Sequence, residues 1–155
     1  MKNPSRGALP RRLISVCACL LAAACAGGGT DAGSLHVQVR FTGAGDGAWV
    51  GGSGSALLFC HPQMTVSASG SGRAVWTGGS SRLTAPYGTY DLTFTAAEVA
   101  AMVGGADVSA GQSRTNTFNQ TAYTSFHLQV DFAYTIEGTG ATGTATGAFD
   151  CDAPA

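Results

Sequence analysis

Lysine is missing from this chain after Lys2, and cations of any kind are scarce. From residue 13 onward the only basic side chains are Arg40, Arg73, Arg82 and Arg114, against all nine Asp and Glu residues. The net charge of that part is 4 − 9 = −5. Nucleic acid and anionic lipid surfaces both call for a basic face, so neither is an expected partner. Long apolar runs are lacking too. The apolar stretch from Leu13 to Ala24 has 12 residues, well short of the roughly 20 that a membrane-spanning helix needs. There is no Gly-x-Ser-x-Gly elbow, no phosphate loop, no zinc-protease motif and no paired-carboxylate signal. The expectation is a protein without catalysis and without a cofactor. Strong helix formers are also few. What remains is rich in Gly, Thr, Ser, Ala and Val, a composition that favours short strands and turns.

The first residues read as an export signal. Lys2, Arg6, Arg11 and Arg12 form a positive start, and Leu13 to Ala24 has the length of a signal core. The run ends Ala22-Ala23-Ala24-Cys25. This resembles the lipobox of bacterial lipoproteins, with the preferred Leu one place early, at Leu21. The resemblance implies cleavage before Cys25 and acylation of its thiol, hence a lipid anchor in the membrane. Ala26 beside it implies the outer membrane, on its periplasmic or surface face. An ordinary signal peptide cut at an Ala-x-Ala site near Ala24 is the other reading. Arg11-Arg12 is a weak twin-arginine match, so the general secretion route is preferred. Residues 26–34, AGGGTDAGS, read as a flexible tether. The domain plan is therefore a signal peptide over 1–24, a lipidated Cys25 with its tether over 25–34, and one folded domain over 35–155.

That domain holds two cysteines, Cys60 and Cys151. In an oxidising compartment they are expected to pair, with two unpaired core thiols as the alternative. On the chain-entropy account a closure that long stabilises by roughly 4 kcal/mol.

Alternation predicts the strands. Leu35-His36-Val37-Gln38-Val39-Arg40-Phe41 and Phe126-His127-Leu128-Gln129-Val130-Asp131-Phe132 share one pattern, with every second residue apolar. Further strands are expected over 56–60, 64–68, 73–77, 89–95 and 115–119. Turns are expected at GAGDG (43–47), GSG (70–72) and TGGSS (77–81). Thr95 with Glu98 three residues on is a capping box, and Gly104-Gly105 is a stop signal. A two-turn helix near 96–103 follows, burying Val99, Met102 and Val103 and crossing between sheets. The Thr/Gly/Ala-rich end is expected to make a last hairpin strand pinned by Cys151, its register weakened by glycine. The fold class is all-β, an antiparallel immunoglobulin-like sandwich with one short helix.

Pro86, Gly88, Tyr90 and Leu92, followed by Val108, Ala110, Gly111 and Gln112, resemble a motif pair of small exported modules. These are the transthyretin-like or carboxypeptidase-regulatory-like sandwiches, whose strand and turn these residues match over about a third of the domain. The resemblance implies a binding or spacer module and carries no catalytic residue. The helix between the two pieces stands where such modules have a loop.

Candidate sites are few. His36 and His127 would share a metal if their strands were neighbours, although zinc or copper needs three or four ligands. The plainer reading is two wet strand faces, with Arg40 and Asp131 as a cross-strand pair. His61 beside Cys60 points to the opposite face of a strand and is badly placed to activate a thiol. Asp46 with Asp150 and Asp152 is too thin for a calcium loop. Trp49 and Trp76 lie near glycine-rich turns and are candidates for stacking on a sugar ring. The favoured function is structural: an envelope lipoprotein that docks on another envelope protein, with a lent sheet edge as one mode of docking. A carbohydrate-binding module is the second reading and a metal-binding lipoprotein the third.

Overall fold

The computed structural model describes residues 34–43, 48–50 and 57–153; for 48–50 this means the backbone alone. The expected signal, lipidated Cys25 and the tether through residue 33 lie outside the described residues.

The strands are β1 (His36–Thr42), β2 (Ala48–Val50), β3 (Leu57–Cys60), β4 (Gln63–Ser69), β5 (Arg73–Ala85) and β6 (Gly88–Thr95). After the helix α1 (Ala96–Val103) come β7 (Asp107–Ser109), β8 (Ser113–Thr117), β9 (Gln120–Ala122), β10 (Phe126–Ile136) and β11 (Thr142–Cys151). Among the described residues every pairing is antiparallel, in three sheets. One runs β1-β4-β8. A larger one runs β11-β10-β5-β6, with β7 also paired to β5. A small one runs β2-β3-β9. The protein is the expected all-β antiparallel sandwich with a single short helix.

Alternation explains which face is buried. Phe126, Leu128, Val130, Phe132, Tyr134 and Ile136 of β10 are all buried, as are Val37 and Val39 of β1 and Met64, Val66 and Ala68 of β4. The two larger sheets meet over this row. Phe149 of β11 lies 4.9 Å from Phe41 of β1 and 6.0 Å from Phe126, ring centre to ring centre.

Glycine sets the spacing rather than weakening the last strand. A Cβ on Gly147 would come within 2.6 Å of Val39, so β1 lies directly on the β11 backbone there. With Ala145, Phe149 and Cys151 buried on the same face, the β10–β11 register is continuous from Phe126↔Cys151 to Thr135↔Thr142. The expected weak register is thus corrected: a one-residue slip would turn that whole row to solvent.

The TGGSS cluster is not a turn. β5 runs straight through it, with Thr77 left over as a bulge between Trp76↔Tyr134 and Gly78↔Ala133. Gly79 allows β5 to lie close under β10 and α1. The GSG turn does form, with Gly70 and Gly72 at positive φ. It joins strands of different sheets rather than closing a hairpin.

The helix is capped as its sequence predicts. The Thr95 hydroxyl accepts from the Glu98 N–H, the Glu98 carboxylate accepts from the Thr95 N–H at 2.7 Å, and Gly104 ends the helix in the left-handed conformation. Val99 and Val103 are buried and Met102 is half-buried. The helix does not carry the chain from sheet to sheet, since β6 and β7 both belong to the larger one. Its C-terminal end is tied to β8, where Asn116 donates to Met102 O and Arg114 to Gly104 O.

Candidate functional site

Cys60 and Cys151 are joined, with Cα atoms 6.1 Å apart, and both are buried. The bond ties the small sheet to the last strand of the large one and leaves no thiol for His61 to activate. His61 instead lies exposed, its ring stacked 5.5 Å from that of Phe59.

The two echo strands are not neighbours. His36 stands opposite Ser69 on β4, while His127 stands between Thr84 of β5 and Asp150 of β11. His127 Nδ1 is 2.7 Å from the Asp150 carboxylate, an exposed contact of small energetic weight. The expected Arg40–Asp131 pair is also corrected. Arg40 faces Thr65, and Asp131 accepts from Gln129 at 3.0 Å and Thr146 at 2.6 Å. Likeness of sequence made two similar strands, and the topology put them in different sheets.

Trp76 is a correction of another kind. It is 3% exposed, its ring lies edge-on to Phe132 and Tyr134, and its indole N–H donates to Gly105 O at 3.0 Å. A buried, hydrogen-bonded indole cannot stack on a sugar. It holds the segment after α1 against β5. The Trp49 side chain and Asp46 lie outside the described residues.

Among the described residues the large exposed aromatics are tyrosines, gathered at the β5–β6 hairpin. Tyr87 is 47% exposed, Tyr90 54% and Tyr123 68%, and Leu92 joins them at 60%. Tyr87 and Tyr90 are 6.1 Å apart, and the Tyr123 N–H donates to the Tyr87 hydroxyl at 3.2 Å. The register explains the exposure. Leu128 of β10 pairs with Leu83 of β5, which pairs with Tyr90 of β6; Val130, Ser81 and Leu92 form the next such row. These side chains share the sheet's inner face. Burial fades along each row, from Leu128 at 2% to Tyr90, and from Val130 at 0% through Ser81 at 6% to Leu92. The opposing β1-β4-β8 sheet is only three strands wide. It covers β10 and leaves the inner face of β6 open at Tyr90 and Leu92, while Phe94 is half-buried against the core.

The other face of the same hairpin is polar. Arg82 and Asp91 are partners across β5 and β6 at 2.8 Å, and the guanidinium's hydrogen bond holds the Asp91 carboxyl below its usual range. They line a shallow groove of about 220 Å³ with Ser80, Thr93, Gln129 and Asp131. Its charged groups already have partners, Arg82 with Asp91 and Asp131 with the Gln129 amide and the Thr146 hydroxyl. Among the described residues there is no group of three or more His, Cys, Asp or Glu side chains suited to a metal.

Sequence reasoning placed Tyr90 and Leu92 on the expected strand over 89–95 but did not mark their face as open. The signal it lacked was the width of the sheet opposite.

No protein-family model matches this chain, and no curated protein matches it. A crystal structure of a structural-genomics target, Northeast Structural Genomics Consortium target SoR45, has a similar fold. Its TM-score is 0.58 at 15% sequence identity, over 78% of this chain and 88% of that one. At that identity the likeness speaks for the fold alone.

Proposed function

We propose that this protein is an exported, lipid-anchored component of the bacterial cell envelope that works by binding another protein along β6, without catalysis. The carrying observation is the edge itself. β6 ends its sheet, and its inner-face residues Tyr90 and Leu92 are more than half exposed. A free strand edge flanked by apolar side chains is what β-augmentation uses: main-chain hydrogen bonds supply affinity and alternate side chains supply selectivity. The leader ending at Cys25 supports the export and anchoring half of this reading, and the buried Cys60–Cys151 bond fits an oxidising compartment. The match of Pro86, Gly88, Tyr90 and Leu92 to small exported sandwich modules falls on this same hairpin.

Two measurements test it. Labelled palmitate should enter the full-length protein and fail to enter Cys25→Ser. A photo-cross-linking residue at Leu92 should give a discrete protein adduct in intact cells, whereas the same residue at Thr144, on the outer face of β11, should not. Equal adducts at both positions, or none at either, would remove the docking edge.

A second reading keeps the same hairpin but gives it a sugar. The tyrosine cluster, not Trp76, would be its platform, since aromatic faces accept saccharide rings. Saccharide binding lost in Tyr87→Ala, Tyr90→Ala and Tyr123→Ala would favour this reading over the first.

A further inference from the structure

Folded proteins ordinarily block a free strand edge with lysine, proline, a bulge or an inward charge. β6 has none of these. Gly88–Thr95 contains no lysine and no proline, and its ladder with β5 is regular. Among the described residues no backbone–backbone hydrogen bond outside that ladder reaches Gly88–Phe94, and at the strand's end the Thr95 N–H is held by the Glu98 carboxylate. Its single charge, Asp91, lies on the outer face and is paired with Arg82.

We propose that β6 pairs antiparallel with β6 of a second copy of this chain, Leu92 opposite Leu92 on the twofold axis. This rests on the docking edge described above and names its occupant. A twofold axis normal to the sheet keeps the same face inward in both copies, so paired positions share parity. With Tyr90 on the axis, Leu92 would face a glycine, Gly88. With Asp91 on the axis, two carboxylates would stand directly opposite, which is destabilising. With Thr93 on the axis, Tyr90 would meet Ala96, which already belongs to α1.

Leu92 on the axis avoids all three. Tyr90 then faces Phe94 of the second copy, Leu92 faces Leu92, and Phe94 faces Tyr90. On the outer face Asp91 meets Thr93 and Thr89 meets Thr95, which gives the carboxylate a hydroxyl donor. The inner face becomes one apolar seam, and the two large sheets become one, in the order β11-β10-β5-β6-β6-β5-β10-β11. The shared excess of acid does not oppose this at the seam. Asp91 is compensated by Arg82, and charges further off are screened beyond about 8 Å at physiological salt.

The test uses the full-length chain extracted in mild detergent. The parent should sediment as a dimer, and Leu92→Asp, which sets like charges on the axis, should sediment as a monomer. Leu92→Cys should form a reducible dimer under mild oxidation, above the parent's background. Differently tagged Asp91→Cys and Thr93→Cys chains should cross-link to each other more than to themselves. Self-linking of Asp91→Cys without Leu92→Cys dimers would overturn the register. A monomeric parent whose Leu92 photo-cross-linker captures a different protein would overturn the self-pairing and keep the docking edge. A monomeric parent that captures nothing would overturn both.

Discussion

Alanine at Gly79 should destabilise the domain by about 1–2 kcal/mol, and the structure says why. Gly79 sits mid-strand in β5, between Phe132 of β10 and Phe94 of β6. A Cβ there would lie 2.8 Å from the Asp131 carbonyl oxygen, 3.0 Å from Phe132 Cδ1 and 3.2 Å from Val99 Cγ2. Two effects oppose each other. Replacing glycine removes freedom from the unfolded chain, which favours folding by about 0.5–1 kcal/mol. Forcing a methyl group into a closed site costs about 1–3 kcal/mol. The second wins because the nearest atom is backbone. β10 is held between β5 and β11 and cannot retreat without disturbing both ladders. In a domain of this size the loss lowers Tm by roughly 4–8 °C.

Urea and thermal unfolding of the parent and Gly79→Ala measure it. Val99→Ala supplies the control, since it removes the 3.2 Å contact and leaves the carbonyl one. The double variant should therefore recover only part of the cost, a coupling of about 0.5–1 kcal/mol. A Gly79→Ala protein as stable as its parent would refute the close approach of β10 and α1 to β5.

Replacing both Cys60 and Cys151 by Ser should cost about 4–5 kcal/mol, because the bond closes a sequence separation of 91. Reducing the parent in the same urea titration should give the same loss, and a loss below about 1 kcal/mol would contradict the chain-entropy account. Trp76→Phe should cost about 1–2 kcal/mol in urea unfolding, since the Gly105 carbonyl loses its indole donor. It should leave the adduct at Leu92 unchanged. Thr95→Ala should cost about 1 kcal/mol through the lost helix cap. It should also alter the acid limb of stability. Hydrogen bonds from the Thr95 backbone and hydroxyl hold the Glu98 carboxyl below its usual value. A depressed folded pKa contributes stability above the unfolded value, about 4.3, and loses it as pH falls through the folded one. Thr95→Ala keeps the backbone donor, so it should flatten the fall below about pH 4.3 only in part; an unchanged acid limb would contradict the role of the hydroxyl.

Local rules were legible where local physics decides. The capping box at Thr95 and Glu98, the stop at Gly104, the long alternation of β10 and the GSG turn all follow from residues a few places apart. The rest depends on partners distant in sequence. TGGSS reads as a turn on its own; under β10 and α1 its glycines are the space that lets β5 pass. Trp76 reads as exposed beside those glycines, and is buried because the strand continues. The likeness of β1 and β10 left open whether they are neighbours, and they are not: β1 takes β4 and β10 takes β5 and β11. Strand β7, three residues long, is too short for alternation to mark.

The same limit explains why the open edge of β6 was hidden. Tyr90, Leu92 and Phe94 alternate with Thr89, Asp91, Thr93 and Thr95 just as a buried strand face does, so the pattern marks a strand over 89–95 without marking its open face. Folding gives it a sheet to join and cover at Phe94, but no layer over Tyr90 and Leu92. Its apolar row belongs to the same inner face that β10 buries almost completely, and it stays open because the opposing sheet ends too soon. Burying a side chain such as Leu92 is worth about 1.5–3 kcal/mol, so a monomer leaves much of that stabilisation unrealised at each exposed position. Ordinary surface strands do not carry such a row beside an unblocked edge. A second copy pairing through β6 meets both requirements at once, giving partners to the free backbone and cover to Tyr90, Leu92 and Phe94. A partner that covered the tyrosines alone, such as a saccharide, would leave the edge unpaired. Hydrogen exchange at the β6 amides therefore separates the two: protein pairing protects them, and a sugar on the tyrosines does not.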